Sequence, residues 1–349
     1  LWCHNGDSAW QVAEINPSGG ANPDYLTVYN GKLYFSANDG TNGLELWSYD
    51  GSNVAMVEDI NPGSSNGSPH GLIVFQGKLF FSADNGTNGF ELMSCDGNSV
   101  SLEAEIAPGN TNGSPRGMVE YNGNLYFHAT TTSLTSGWKV YEFDGTTAQT
   151  TSIPDGELDE GVVFNGELIF RLNSGISSDL ELWSFDGTTA TQLADIRPGS
   201  SGSTPSHLTE YNGKLYFRAN DGTGNSLWVY DGATVAEHAG FQAAQLSDPT
   251  SIDVFAGQLF LTAIHSSASN ADLWAYDEMT FTGIATSAAI TYFGTGNKQG
   301  FVTSANSLFF LGYDAGFVAN YYAYSAPSDC PPIAVCKDAT VQIAANGTA

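Results

Sequence analysis

The hexapeptide Asn30-Gly31-Lys32-Leu33-Tyr34-Phe35 joins an Asn-Gly turn to a run of alternating apolar residues, and this pattern decides the fold. Counted from Gly31, six further copies follow, the last two in weakened form, at positions 77, 123, 166, 213, 257 and 307. The successive steps are 46, 46, 43, 47, 44 and 50 residues. Repeats of this length that hold several strands each are typical of β-propeller blades. The sequence therefore predicts an all-β fold, a seven-bladed β-propeller.

Each repeat has room for four strands, which we call A to D. In the repeat that contains the hexapeptide, residues 26–29 alternate in polarity and form strand A. Asn30-Gly31 favours a two-residue hairpin, because both central residues of a type I′ turn need positive φ. Strands B, C and D follow over 32–37, 45–49 and 54–60, with Asp50-Gly51 as a second tight turn. We therefore expect blades of four antiparallel strands.

Strand C carries a heavy aromatic or long apolar residue in almost every repeat. We expect these side chains to fill the space between neighbouring blades, because burial of a ring removes a large apolar area from water. A sugar-stacking platform is the alternative. The residues are Trp2, Trp47, Met93, Tyr141, Trp183, Trp228, Trp274 and Tyr322.

The chain begins and ends inside a blade. We assign residues 1–326 to the propeller and residues 327–349 to a linker and a strand-like tail that begins a further module. Because exposed strand edges are a liability, we expect the N- and C-terminal strands to close the ring, with the N-terminal strands completing the blade near 300–312. Eight segments resemble strand C but only seven A–B hairpins exist. One segment, Leu1–His4 or Tyr321–Ser325, is then surplus.

The segment Glu181-Leu182-Trp183-Ser184-Phe185-Asp186-Gly187-Thr188 resembles the ELWxxDGT repeat proteins of Bacteroidetes, and residues 45–52 match nearly as well. The resemblance covers about residues 1–326 and implies a secreted or surface-anchored β-propeller. It brings no catalytic residues with it. Residues 330–343 look like the opening of a hyalin-type or immunoglobulin-like surface module.

The composition limits the partners. Ten Lys and Arg against 37 Asp and Glu give a net charge of −27, with no basic stripe, which argues against nucleic acid. No apolar run is long enough to cross a bilayer, so membrane insertion is not expected. An acidic surface with few lysines suits salty or extracellular surroundings, where charge is screened. We expect an extracellular or cell-surface protein.

Three of the four cysteines lie near the chain ends, where a disulfide could lock closure of the ring. Cys3 with Cys330 and Cys330 with Cys336 are both possible pairs. Cys95 takes the place of Tyr49 in its repeat and is expected to be a buried free thiol.

The titratable residues show no recognisable catalytic set. The histidines have no metal-ligand spacing, and His70 and His207 are interpreted as polar residues of equivalent linkers between blades. Glu120, Glu210 and Asp253 interrupt the mainly neutral A strands, each near two positions before the turn. They are a possible axial acidic cluster that binds a cation or lines a channel.

Calcium is the only cofactor for which the sequence offers candidates. The B–C loops are rich in the oxygen ligands that calcium prefers, although their spacing departs from known loops and Asx turns explain them as well. The candidate ligands are Asp39, Asn42, Asp84, Asn88 and Asp221.

These features favour a non-catalytic structural or adhesion protein, such as the subunit of a filament or matrix assembled through its terminal strands. The expected partners are copies of itself, other surface proteins or polysaccharide. The alternative is a monomeric propeller module that binds carbohydrate or protein. A propeller hydrolase or lyase is the third hypothesis.

Overall fold

A computed structural model describes residues 1–4, 9–132, 137–173, 179–268, 271–290, 301–303, 307–313, 319–325 and 341–343. The architecture is a seven-bladed β-propeller of four-stranded antiparallel blades, as the sequence predicts. One short helix, α1 (Ala239–Ala243), follows the fifth blade. Across the described ranges, no helix has the length and apolar character needed to cross a bilayer.

Two strands precede the blades and pair with each other. They are β1 (Trp2–His4) and β2 (Ala9–Gln11). The first three blades are β3 (Asp24–Tyr29), β4 (Lys32–Asn38), β5 (Leu44–Tyr49) and β6 (Val54–Glu58); β7 (His70–Phe75), β8 (Lys78–Asp84), β9 (Phe90–Cys95) and β10 (Val100–Ala104); and β11 (Arg116–Tyr121), β12 (Asn124–Ala129), β13 (Lys139–Phe143) and β14 (Ala148–Thr150).

Blades four to seven continue in the same order. They are β15 (Glu157–Phe164), β16 (Glu167–Asn173), β17 (Leu180–Phe185) and β18 (Ala190–Ala194); β19 (Ser206–Tyr211), β20 (Lys214–Asn220), β21 (Asn225–Tyr230) and β22 (Val235–Glu237); β23 (Leu246–Phe255), β24 (Gln258–His265), β25 (Ala271–Tyr276) and β26 (Phe281–Ile290); and β27 (Phe301–Thr303), β28 (Ser307–Tyr313), β29 (Ala319–Ser325) and β30 (Val341–Ile343).

The A–B hairpins have the predicted turn geometry. Asn30 and Gly31 have φ values of 46° and 74°, so both central residues lie in the left-handed region that a type I′ turn requires. The same pair of positive φ values recurs at the corresponding turns of blades two to six. The hairpin register follows, with Tyr29 opposite Lys32 in the first blade.

The seventh blade is completed differently from the prediction. Its fourth strand is β30, from the C-terminal tail, and β30 pairs with β29 over three residues. The N-terminal strands, which the sequence analysis placed in this blade, instead form their own two-stranded sheet. The segment 319–325 is the third strand of blade seven, so β1 is the surplus strand, and its Trp2 is 64% exposed.

The chain groups into two compact units. The first contains Leu1–Cys3, Trp10–Ser177 and Trp183–Thr191, and the second contains His4–Ala9, Ser178–Leu182 and Gln192–Ala349. In each unit the core is a series of clusters that join side chains of successive blades. Met93 and Tyr141 pack between blades as predicted for strand C, and Trp183 and Trp274 are partly buried against such clusters.

A buried glutamate at the start of strand C accepts hydrogen bonds from the linker that connects its blade to the next one. Glu91 is fully buried; its Oε2 accepts from the backbone N–H of Ile106 at 2.7 Å, and its Oε1 accepts from Ala107 and Gly113 at 3.1 Å each. Glu45 and Glu181 are bonded to their linkers in the same way. We call these three side chains the linker glutamates. They explain the first letter of the repeated Glu-Leu-Trp motif.

Candidate functional site

Strand A of blades one to six contains a β-bulge in its first part. The pairing of A with B skips residues there, as between His70 and Ile73 in blade two and between Arg116 and Val119 in blade three. The second residue of the bulge has positive φ in every case: Tyr25, Gly71, Gly117, Glu160, His207 and Ser251. A non-glycine residue in this region costs of order 1–3 kcal/mol, and such strain concentrates at functional sites. The bulges are therefore candidate positions for a functional site.

In the first unit the bulges bring charged and polar side chains onto neighbouring strands. Strands β7, β11 and β15 contact one another in sequence. Residues directly opposite in the A–B pairs are His70 with Ser82, Arg116 with His128, and Asp159 with Arg171. We call these six residues the bulge cluster.

His128 is the most deeply buried titratable group of the bulge cluster. It is 6% exposed, its Nδ1 lies 2.6 Å from the carbonyl oxygen of Leu158, and its ring meets Trp138 edge-on at 5.0 Å. A Cβ on Gly117 would lie 2.1 Å from the same carbonyl oxygen, so this contact requires glycine. Because the carbonyl can only accept, Nδ1 carries the proton and Nε2 is left as an acceptor.

The imidazole of His128 should remain neutral at physiological pH. Burial lowers its pKa to about 4, and the positive charges of Arg116 and Arg171 act in the same direction. We expect the ring nitrogen signals of His128 in NMR spectra to show no titration between about pH 5.5 and 8, because the pKa lies below that window. A midpoint near 6.5, as in a histidine peptide measured alongside, would contradict this geometry.

Arg116 is an exposed cation that makes no ion pair within the described ranges. The ion pairs found there are Lys78–Glu103, Lys139–Asp155, Arg171–Asp159 and Arg218–Asp248. The pKa of His70 is lowered mainly by burial, and the positive charge of Arg116 lowers it further. An unpaired guanidinium is notable in a chain with 37 acidic and 10 basic residues.

Exposed apolar side chains lie further along the same A strands. Val28, Val74 and Val163 are 69%, 39% and 44% exposed, and all three occupy the register opposite the first leucine of strand B. In blade three this register holds Glu120, which is also exposed. We call these four residues the valine row. Leu26, on the first of these strands, is 49% exposed.

The predicted axial acidic cluster does not share one register. Glu120 lies opposite Leu125 and Glu210 opposite Leu215, which are equivalent positions. Asp253 lies opposite Phe260, one residue out of step with them. Since a shift of one residue turns a side chain to the other face of a strand, Asp253 is not their equivalent. Asp253 stands three residues before the turn residue Ala256, whereas Glu120 and Glu210 stand two residues before theirs, and this difference of one residue accounts for the shift.

The calcium candidates make hydrogen bonds inside their own loops or, for Asn88, to the linker that follows the blade. Asp39 Oδ1 accepts from the backbone N–H groups of Thr41 and Asn42 at 2.8 Å, and its Oδ2 accepts from the amide of Asn42 at 2.7 Å. Asp84 and Asp221 accept similarly from residues two positions on, and Asn88 donates to Glu105. Where the structure describes the chain, no three His, Cys, Asp or Glu side chains are placed to hold a metal.

The cysteine predictions fall partly outside the described residues, since Cys330 and Cys336 are not among them. Cys3 is a half-buried free thiol, and Cys95 is buried and free, as predicted. His70 and His207 were interpreted as linker residues, but the structure places both in strand A, with His207 only 7% exposed. The Ser/Thr-Pro pair before the A strands of blades two, three and five, as in Ser114-Pro115, is the sequence signal that could have located those bulges.

A serine–histidine contact in blade six is a local turn. His265 Nδ1 lies 2.7 Å from Ser267 Oγ and also accepts from the backbone N–H of Ser267. A residue two positions away makes such a bond through the turn itself, and no bond from a carboxylate to the other ring nitrogen of His265 is found among the described residues. We therefore assign it no catalytic role.

Comparison with known proteins supports the fold. No protein-family model and no curated protein matches the sequence. The β-propeller domain of the Trilobed protease from Pyrococcus furiosus is similar, with 10% identity, a TM-score of 0.53 and coverage of 87% of this chain and 95% of that domain. A puromycin-hydrolyzing peptidase of Mycobacterium tuberculosis has 9% identity, a TM-score of 0.59 and coverage of 93% and 53%. A prolyl endopeptidase has 12% identity, a TM-score of 0.55 and coverage of 94% and 51%.

These structural neighbours correct two predictions. The sequence analysis favoured a non-catalytic structural or adhesion protein and no enzymatic role, but the similar solved propellers belong to peptidases. At these identities the likeness establishes the propeller fold. The chain spans about half the length of the second and third of these proteins. The resemblance to ELWxxDGT proteins stays a prediction.

Proposed function

We propose that this propeller is a substrate-handling module of proteolysis, which binds polypeptide for hydrolysis. The observation that carries the proposal is the presence, on the A strands of the first unit, of the exposed valines of the valine row and of the exposed cation Arg116. A peptide presents both apolar side chains and charged groups, and A strands that expose apolar residues and an unpaired cation suit such a ligand.

The structural neighbours support the same choice. One is the propeller domain of a protease, and another is a prolyl endopeptidase whose catalysis and specificity were related to inter-domain dynamics. The acidic composition and the repeat resemblance support an extracellular or cell-surface setting for this activity.

The test is a peptide-binding screen with the full chain. A library of labelled, unstructured peptides of six to ten residues would be titrated by fluorescence anisotropy, and the same mixtures examined for cleavage by mass spectrometry. We expect saturable binding of a subset rich in apolar residues. Failure of every peptide to bind, together with saturable binding in a parallel polysaccharide screen, would overturn the proposal in favour of a carbohydrate-binding module.

A further inference from the structure

We propose that the valine row binds an extended peptide segment in which a lysine or arginine stands between apolar side chains, and that Glu120 receives the basic side chain. This inference rests on the proposed function and specifies its substrate class. All four residues of the row lie on strands of the first unit, namely β3, β7, β11 and β15. Glu120 is the charged member of the row and stands between the valines of blades two and four.

The valine row is the exposed margin of buried apolar clusters. Each member lies opposite the first leucine of its strand B, and residues directly opposite share one face of the sheet. In blades two to four these leucines, Leu79, Leu125 and Leu168, are fully buried and belong to clusters that join successive blades. The exposed valines therefore continue a buried apolar surface, and a ligand with apolar side chains would extend it further.

Neighbouring A strands bring the members of the row together in chain order. Strand β3 contacts β7, β7 contacts β11 and β11 contacts β15, with Cα atoms within 8 Å. Between the first two, Thr27 Oγ1 donates to the carbonyl oxygen of Leu72 at 3.4 Å. Alternate residues of an extended peptide are about 6.6 Å apart and point to the same side. A peptide that crosses the A strands can therefore present every second side chain to successive blades.

Glu120 has no cation of its own. It is exposed and makes no ion pair within the described ranges. Arg116 is on the same strand, but Glu120 lies opposite Leu125. Arg116 lies opposite His128, which is three residues further along the regular strand β12, so Arg116 points to the other face of the blade.

The missing cation determines the charge of the ligand. A ligand that covers the neighbouring valines also removes water from Glu120, and a carboxylate that loses water without gaining a partner is costly. An ammonium or guanidinium group of the ligand offsets that cost with a charge-assisted hydrogen bond. A neutral side chain does not, and an acidic side chain adds repulsion. The row therefore selects a basic residue flanked by apolar ones.

The experiment compares two nonapeptides that differ only in their central charge. Both have the sequence Val-Ser-Val-Ser-X-Ser-Val-Ser-Val, with a neutral N-terminal fluorescent label and a C-terminal amide, and X is lysine or its uncharged analogue norleucine. The sequence reads the same in both directions, so X can reach Glu120 in either orientation of the peptide. Binding to the full chain would be titrated by anisotropy at about 150 mM salt, where exposed charges more than about 8 Å apart are largely screened.

Three variants separate the contributions of charge and apolar surface. Glu120→Gln removes the charge and keeps the shape of the side chain. Val28→Ser removes apolar surface at the most exposed valine of the row, whose side chain is 69% exposed, so the fold depends little on it. Glu14→Gln is the control, because it removes one negative charge from an exposed position of the same unit outside the A strands. Circular dichroism would confirm that all four proteins are folded.

We expect the wild type and Glu14→Gln to bind the lysine peptide about ten-fold more tightly than the norleucine peptide, because the bound peptide excludes water from the ion pair. Glu120→Gln should bind the two peptides with equal affinity. Val28→Ser should bind both about five-fold more weakly than the wild type and keep the preference for lysine, since only apolar contact is lost.

A lysine preference that persists in Glu120→Gln would overturn the inference, because the net negative charge of the chain would then be its source. Equal binding of the two peptides by the wild type would also overturn it and leave peptide binding standing. Wild-type affinity in Val28→Ser would show that the peptide lies elsewhere. If neither nonapeptide binds while library peptides do, this inference fails alone; if the library also gives no binding, the proposed function fails with it.

Discussion

Replacement of Glu91 by alanine should lower the free energy of unfolding by about 3–5 kcal/mol, because it removes the shared acceptor of three buried backbone N–H groups. Those groups belong to Ile106, Ala107 and Gly113, and the carboxylate that receives them is fully buried. Water cannot take its place without opening the linker between blades two and three. Since whole domains are stable by only about 5–15 kcal/mol, this loss would be a large part of the total.

The effect would be measured by urea denaturation followed by tryptophan fluorescence and circular dichroism. Glu120→Ala is the matched control, since it removes the same side chain from an exposed position of the same unit and should change stability by no more than about 0.5 kcal/mol. Glu91→Gln should lie between the two, because one oxygen still accepts while the new amide N–H₂ faces a donor. A Glu91→Ala protein as stable as the control would contradict the role of the linker glutamates.

The stability of the protein should fall as the pH rises from about 4.5 to about 7. Burial raises the pKa of Glu45 and of Glu91 to about 7 and also raises the pKa of Glu181, against an ordinary value near 4.5. In that window the folded state holds protons that the unfolded state releases, so the free energy of unfolding decreases with pH and levels off above about 7. A complete shift of this size would contribute about 3 kcal/mol at most for each carboxyl.

A second group of carboxyls makes the free energy of unfolding increase with pH, at lower pH values. Backbone N–H groups at the C–D turns lower the pKa of Asp50, Asp96 and Asp144, so the stability that these residues contribute is present above their ordinary pKa and is lost as the pH falls below it. We therefore expect a maximum of stability near pH 5, to be measured by denaturation at constant ionic strength.

Denaturation of Glu91→Gln over the same pH range distinguishes the effect of the linker glutamates on stability from the effect of the net charge of the chain. This variant should lose less stability between pH 4.5 and 7 than the wild type, because one of the titrating groups is gone. A wild-type stability that rises steadily from pH 5 to 8, or an unchanged pH profile in Glu91→Gln, would show that the buried carboxyls do not control it.

The features that could be predicted from the sequence are local ones. The number of blades, the four strands in each and the positions of the A–B turns follow from Asn-Gly pairs and from alternation of apolar residues, and both patterns act within a few residues. Asn30-Gly31 adopts the predicted turn because positive φ is favourable for those two residue types wherever they stand in the chain. The burial of Cys95 could also be predicted, because Cys95 takes the place of Tyr49 in a repeat with a regular pattern of buried positions.

The tertiary structure decided what depends on residues distant in sequence. The linker glutamates bind groups 15 to 22 residues away, the environment of His128 comes from blades three and four, and β30 completes blade seven from beyond residue 340. Short-range backbone preferences determine turns and strands, whereas desolvation, pairing of charges and occupation of a sheet edge depend on which segments meet after the chain has folded.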